Sequence, residues 1–260
     1  MSPWERLIER PNARGHLVQF YSNHNECSLI RSVGRYLWEG RKRGDGLLVI
    51  ATDEHCQALS RELDRLGAET ESAIQDKRLL FLDARAILFQ LMASGQPDWS
   101  MFETVVGAAL REVSRRGDDH APRAYGELVD LLWKARRFTA AIRLEQFWNK
   151  LLARSPFSLY CAYAIDIFDK QFQTDSLDAI LCTHTHLLPG ESQGKLETAI
   201  DLAIDDILGP KADNVRALIK ADHRSSSAIM PRGETAILWL RKKLPEQAEG
   251  VIARARDYYQ

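Results

Sequence analysis

This sequence predicts an α/β fold in three layers: a mostly parallel sheet flanked by helices, with an α-helical C-terminal extension. Three observations carry that expectation. Short apolar runs recur at residues 16–21, 47–51, 78–83, 122–127 and 157–163. Stretches with helical spacing of apolar residues separate them, and beyond Asp169 only helical patterning continues. Strands alternating with helices imply parallel βαβ units in one sheet.

The first strand, His16-Leu17-Val18-Gln19-Phe20-Tyr21, is closed by the turn formers Ser22-Asn23-His24-Asn25, of which Asn25 can cap a helix. From Glu26 to Arg43, Leu29, Val33, Tyr36 and Leu37 recur at helical spacing, and Gly44-Asp45-Gly46 ends the segment. Leu47-Leu48-Val49-Ile50-Ala51 is continuously apolar, as a strand covered on both faces requires. Thr52 or Asp53 caps the next helix, which turns Ala58, Leu59, Leu63 and Leu66 inward and stops at Gly67. The third strand, 78–83, leads into a helix through Ile87, Leu88 and Leu91 that breaks at Gly95-Gln96-Pro97.

A longer helix over 99–116 precedes the fourth strand, which ends in polar residues at Glu127. Helices over 128–133 and 139–153 follow, the second with Leu144, Phe147, Trp148 and Leu151 on one face, and then the fifth strand. No further strand is expected. Thr183-His184-Thr185-His186-Leu187-Leu188-Pro189-Gly190 reads as a boundary loop between an α/β domain over residues 1–181 and a helical region over 190–260. Helices are expected near 196–208, 214–220, 234–244 and 246–259, with a Ser-rich linker over 222–232.

Composition excludes several classes. Hydrophobic residues make up 45% and charged residues 27%, as in soluble globular proteins. Lys and Arg number 35 against 36 Asp and Glu, so no global field draws in nucleic acid. Arg41-Lys42-Arg43 and Arg241-Lys242-Lys243 read as solvated helix ends. Four dispersed cysteines without a C-x-x-C pair point to a reducing cytosol. Neither a signal peptide nor a bilayer-spanning run is present, so a cytoplasmic protein without membrane contact is expected.

Ligands of open parallel sheets bind at the carboxyl ends of the strands. Here that edge holds Tyr21, Ser22 and His24, then Thr52, Asp53 and His55, then Asp83 and Arg85, then Glu127, and finally Tyr163 and Asp166. The turn after the first strand lacks the glycines and lysine of a phosphate-binding loop, which argues against ATP hydrolysis. No G-x-G-x-x-G follows any strand, and no G-x-S-x-G elbow presents a nucleophilic serine. Glu127 stands out because an unpaired carboxylate in so apolar a context is costly. It reads either as a helix N-terminal carboxylate or as a ligand contact, with Arg123 or Arg85 neutralising it in both cases.

None of the seven histidines falls into a metal-binding spacing, and the pair His184 and His186 reads as turn-exposed, so no metal is assigned. Cys27 and Cys56 read as small buried thiols. Aromatics such as Tyr21, Trp133, Trp148, Tyr160 and Tyr163 read mainly as core, with a lining for an apolar ligand as the alternative.

Six blocks in order carry a family likeness. They are His16-x-x-x-Phe20-Tyr21; residues 46–51 running into Ala51-Thr52-x-x-His55; Leu80-x-Leu82-Asp83-Ala84; Tyr125-Gly126-Glu127-x-Val129-x-Leu131-Leu132-Trp133; Leu144-Glu145-x-x-Trp148-Asn149-x-Leu151; and Phe157-Ser158-Leu159-x-Cys161-Ala162-Tyr163. Over residues 16–169 the chain resembles the MEDS (methanogen/methylotroph sensory) domain of dichloromethane-responsive regulators. The resemblance implies a degenerate RecA/KaiC-like sheet that senses small molecules, hydrocarbon derivatives among them, rather than catalysing. Tyr21, His55, Asp83, Glu127, Trp133 and Tyr163 are the ligand contacts it implies; His24, Thr52 and Arg85 join them by their place on the strand edge.

No cofactor is identified. The expected partners are a small molecule and a protein reached through the helical tail, since no helix-turn-helix, kinase or anti-sigma signature follows Leu181. That tail packs on the α/β domain, dimerises, or docks on an effector. Two other readings stay open: a nucleotide-binding enzyme with Arg85 or Arg123 in place of the lysine, and a scaffold acting by oligomerisation.

Overall fold

Six parallel strands form one sheet in the computed structural model, which describes residues 3–22, 26–92, 95–116, 120–190, 193–225 and 230–260. They are β1 (His16–Tyr21), β2 (Leu47–Ala51), β3 (Leu79–Asp83), β4 (Arg123–Gly126), β5 (Ser158–Ala164) and β6 (His186–Leu188). Their order is β3-β2-β4-β5-β1-β6. All pairs are parallel, so the expected sheet is present without an antiparallel member.

The four inner strands are buried along nearly their whole length, which is why β2 reads as an unbroken apolar run. Alternation sorts each strand's side chains between two cores. Leu17, Val49, Tyr125 and Tyr160 meet α2 (Glu26–Lys42) and α3 (Asp53–Arg65) on one face. Val18, Ile50, Ala124 and Leu159 face the other core, shared with α5 (Ala84–Leu91), α6 (Trp99–Arg116), α7 (Leu128–Lys134) and α8 (Phe138–Arg154). On that side Trp148 is fully buried, edge-on to Phe102 at 5.0 Å between ring centroids.

Backbone chemistry ends the elements where the sequence says it should. Gly67 takes φ 87° after α3 and lets Ala68 N–H reach the Leu63 carbonyl at 2.9 Å. Gly46 permits contact with α6: a Cβ there would lie 2.1 Å from the Val113 oxygen.

The largest buried charge sits at the opposite, amino edge. Arg123 is 1% exposed and donates to Asp45 Oδ2 at 2.8 Å and to the carbonyls of Ile8, Tyr36 and Glu9 at 2.7 to 2.8 Å. One guanidinium thereby joins β4 to α1 (Pro3–Glu9), to α2 and to the turn entering β2.

The C-terminal helices α10 (Gln193–Leu208), α11 (Ala212–Ser225), α12 (Arg232–Lys243) and α13 (Pro245–Tyr259) are where the sequence expects them. Of the three arrangements left open for the tail, the chain itself shows the first. Every residue of α12 from 233 to 240 is buried, and Ile237, Leu240 and Val251 belong to the core that also holds Val18 and Leu159. Trp239 and Leu238 are therefore core rather than an open docking face.

Other expectations need correction. Residues 186–188 form β6, paired with Leu17, Val18 and Gln19, so the boundary loop contains a strand. Three residues are too few for a periodic signal. The helices α1, α4 (Thr70–Gln75) and α9 (Thr174–Leu181) were not anticipated either, being at most eight residues long. Arg241 closes a helix but is not solvated: it donates to the carbonyls of Phe168, Asp169 and Phe172, tying α12 to the segment after β5. Asn25 and the middle of the 222–232 linker lie outside the described residues.

Replacing Arg123 with Ala takes the donor from Asp45 and from the carbonyls of Ile8 and Glu9. Urea unfolding at neutral pH should show a loss of about 3–5 kcal/mol, part of which returns in Arg123→Met/Asp45→Asn because that pair leaves no uncompensated charge.

Candidate functional site

Connections from β1 and β2 run through helices on one face, and those from β4 and β5 through helices on the other. Because β2 neighbours β4 and β5 neighbours β1, the carboxyl edge opens two crevices where connections part to opposite faces, the position at which such sheets bind ligands.

In the crevice between β2 and β4 lies Glu127, the N-cap residue of α7, 3% exposed. Its side chain does not cap its own helix. Instead Oε2 accepts from the Thr52 amide at 2.9 Å, while Oε1 accepts from the Tyr125 hydroxyl at 2.7 Å and lies 2.5 Å from His55 Nδ1. Thr52 caps α3, its hydroxyl accepting from the His55 amide. The outer nitrogen of His55 is 3.7 Å from Glu26 Oε2, so the imidazole bridges a buried and an exposed carboxylate. The bond to Glu127 raises the His55 pKa above its ordinary value, burial opposes this, and the charges of Glu127 and Glu26 add to the rise. Burial, helped by the Glu127 charge, pushes the neighbouring Cys56 thiol up to about 12, which disqualifies it as a nucleophile.

A second group occupies the crevice between β5 and β1. Tyr21 donates to Asp130 Oδ2 at 2.7 Å, and Lys134 reaches both the Tyr21 oxygen, at 2.9 Å, and Asp130, at 3.0 Å. Asp130 Oδ1 accepts from the amide of Ala164, the last residue of β5, at 2.7 Å. Burial raises the Asp130 pKa against the pull of Lys134, and burial together with Asp130 drives Tyr21 far above the ordinary phenol range. Lys134 is the partly exposed cation between the two groups, since its charge is felt at His55 as well.

Of the residues singled out in sequence, the edge thus unites Tyr21, Thr52, His55 and Glu127. It does not unite the rest. Asp83 is exposed and caps α5 by accepting from the Arg85 amide, and Arg85 reaches toward Glu54 at 3.6 Å. Neither Arg85 nor Arg123 neutralises Glu127; Arg123 is held at the far edge by Asp45, and His55 takes that role. Trp133 packs edge-on against Phe138 and Tyr163, and Tyr163 donates to Glu145 beneath the other face. His24 lies outside the described residues. Cys27 is exposed and Cys56 half-buried, unlike the buried thiols expected.

Sequence reading missed Asp130 and Lys134, which follow Glu127 by three and seven residues and so share its helical face. It also missed a closed polar centre. His16 and Cys161 sit on β1 and β5, and Glu145 on α8; His184, expected in an exposed turn, is buried beside them. A surface groove of about 390 Å³ lies elsewhere, among Trp4, Arg31, Arg35, Glu62 and Arg65. There Glu62 and Arg65 already satisfy each other at 2.7 Å.

One family pattern, described as the MEthanogen/methylotroph, DcmR Sensory domain (MEDS), matches residues 15–185, more than half of the chain. No curated protein and no solved structure matches it.

The His55–Glu127 bond makes stability pH dependent with a definite sign. A raised folded pKa means its contribution is complete below the unfolded value, near 6.5, and is lost as pH rises through the folded value. Histidine-selective NMR should find His55 titrating above 6.5 in wild type and lower in Glu127→Gln. Titration at or below 6.5 in the wild type contradicts this geometry.

Proposed function

The chain belongs to the MEDS family of sensory domains, and from that premise we propose that it is a regulator that binds a small molecule at the carboxyl edge and passes the event to a protein partner through its helical tail. The observation that carries this reading is the convergence at one edge of His55, Glu127 and Lys134, held by bonds to three strand ends and two helix starts. Such pairs are costly to desolvate and exchange partners readily when a polar ligand group arrives.

A path to the tail begins at Asp130, which holds the backbone of Ala164. Two residues on, Asp166 pairs with Arg256 of α13, Phe168 packs on Tyr259 at 5.4 Å between centroids, and Arg241 of α12 grips the Phe168 to Phe172 carbonyls. Movement of Lys134 or Asp130 toward a ligand therefore pulls on a segment that touches both the edge and the tail. Coupling needs only that the ligand favour one of two arrangements of that segment. Among the described residues no helix is long and apolar enough to cross a membrane, which fits a partner reached in solution. The nucleotide-enzyme reading loses one of its proposed cations, because Arg123 is committed to Asp45.

Native mass spectrometry of gently purified protein, followed by a thermal-shift panel of nucleotides and small alkyl, halogenated and oxygenated metabolites, should identify a stabilising compound. Glu127→Gln and Lys134→Met should each weaken that stabilisation at least about tenfold in apparent affinity, roughly 1.4 kcal/mol, while circular dichroism stays unchanged. A compound that stabilises both variants as well as wild type refutes the site. Deleting residues 190–260 should leave a protein that aggregates, because the face covering Val18 and Leu159 loses its lining; a monomeric, folded truncation refutes the shared core.

A further inference from the structure

Beneath the sheet, on the face away from α2, four buried side chains that can ligate metals meet. His16 Nε2 is 3.3 Å from Glu145 Oε2 and 3.4 Å from Cys161 Sγ, and His184 Nε2 is 3.4 Å from Glu145 Oε1. All four donor atoms lie within 4.8 Å of one another, the one such group among the described residues. The side chains of His16, Glu145 and His184 are at most 1% exposed, and Cys161 is 0% exposed.

The hydrogen bonds around this group fix what each atom presents to its centre. Asn149 donates through Nδ2 to the Thr183 carbonyl, so its Oδ1 accepts from His16 Nδ1 at 2.9 Å. His184 Nδ1 donates to the Ile180 carbonyl at 2.7 Å. With those protons on Nδ1, the neutral form of each imidazole turns the lone pair of Nε2 inward. Tyr163 donates to Glu145 Oε1 at 2.5 Å and leaves Oε2 for the centre.

Three acceptors thus face one another, and the Cys161 thiol offers one weak donor. Glu145 Oε2 and His184 Nε2 indeed have no hydrogen-bond partner although both are buried. Orphaned buried acceptors at this density are strongly unfavourable unless a cation lies among them.

We propose that His16, Glu145, Cys161 and His184 form a four-coordinate site for a zinc-class divalent metal ion, clamping β1, β5, α8 and the turn before β6 together. Zinc bonds of about 2.0–2.3 Å place tetrahedral ligands roughly 3.3–3.7 Å apart, the separation that His16 Nε2 already has from Glu145 Oε2 and from Cys161 Sγ. Two nitrogens, a thiolate and a carboxylate are ligands of this borderline class rather than of calcium or magnesium. On binding, the Cys161 thiol releases its proton; thiolate and carboxylate then balance the two charges of the ion, and the buried centre is neutral. Asn149, the Ile180 carbonyl and Tyr163 are the outer partners that hold the ligands in place. With four protein ligands and no open position, the ion is structural.

Protein expressed in zinc-supplemented medium should carry roughly one zinc per chain by elemental analysis. Replacement by cobalt should give the visible bands of a tetrahedral site together with a thiolate-to-cobalt charge-transfer band. In Cys161→Ser that band should vanish, and in His184→Gln cobalt uptake should fall at least about tenfold. Stripping the metal with a strong chelator should lower the melting temperature of wild type but not of Cys161→Ser. Wild-type protein that is folded by circular dichroism yet holds no zinc and takes up no cobalt overturns the proposal, since a proton shared between His16 and Glu145 then fills the centre. A wild-type cobalt spectrum lacking the thiolate band overturns it equally, without requiring either variant to fold, as does a band that persists unchanged in folded Cys161→Ser.

Discussion

A sheet covered on both faces has no water to offer the polar groups it encloses, and that constraint organises this molecule. Polar side chains admitted to the interior call for partners there: Arg123 has Asp45 and three carbonyls, Gln19 has Tyr160 and the Pro189 carbonyl, and Glu127 has His55, Thr52 and Tyr125. The two charged clusters fall at strand ends, Arg123 with Asp45 at the amino edge and Glu127 with His55 at the carboxyl edge. The amino edge is thereby locked by a permanent cation, whereas the carboxyl edge depends on a histidine and a half-exposed lysine. The first arrangement suits stability, and the second suits exchange with a ligand.

Much of this was legible in the sequence, for physical reasons. The strands β1 to β5 announce themselves because buried parallel strands must be apolar throughout, and the helices between them because one face must be. Thr52, His55 and Glu127 could be gathered from the strand-edge rule alone. What the sequence left hidden are pairings that depend on strand order. Arg123 and Glu127 are four residues apart at opposite ends of β4, so closeness in sequence suggested a partnership that the strand's length forbids. The strand β6 is too short to show a period, and its Gln19 anchor is far away in sequence.

The closed centre illustrates the same limit. His16 and Cys161 become neighbours only because β1 pairs with β5, and His184 joins them only because the chain turns into β6 on the other side of β1. A signal existed in Glu145, an acid between Leu144 and Trp148 on a helical face otherwise apolar, but without strand order it had no visible partner. The tail follows a similar logic. Its amphipathic helices were plain, yet only the shared core shows that they extend the sensory domain and meet it through the segment after β5.

Ligand entry at the edge held by His55, Glu127 and Lys134 is decided by a crystal structure of the protein bearing a small molecule that stabilises it. Ligand density is expected within hydrogen-bonding distance of at least one of those three side chains, with the segment at residues 164–172 displaced. Density confined to the groove among Trp4, Arg31 and Arg35, with the edge bonds unchanged, contradicts it.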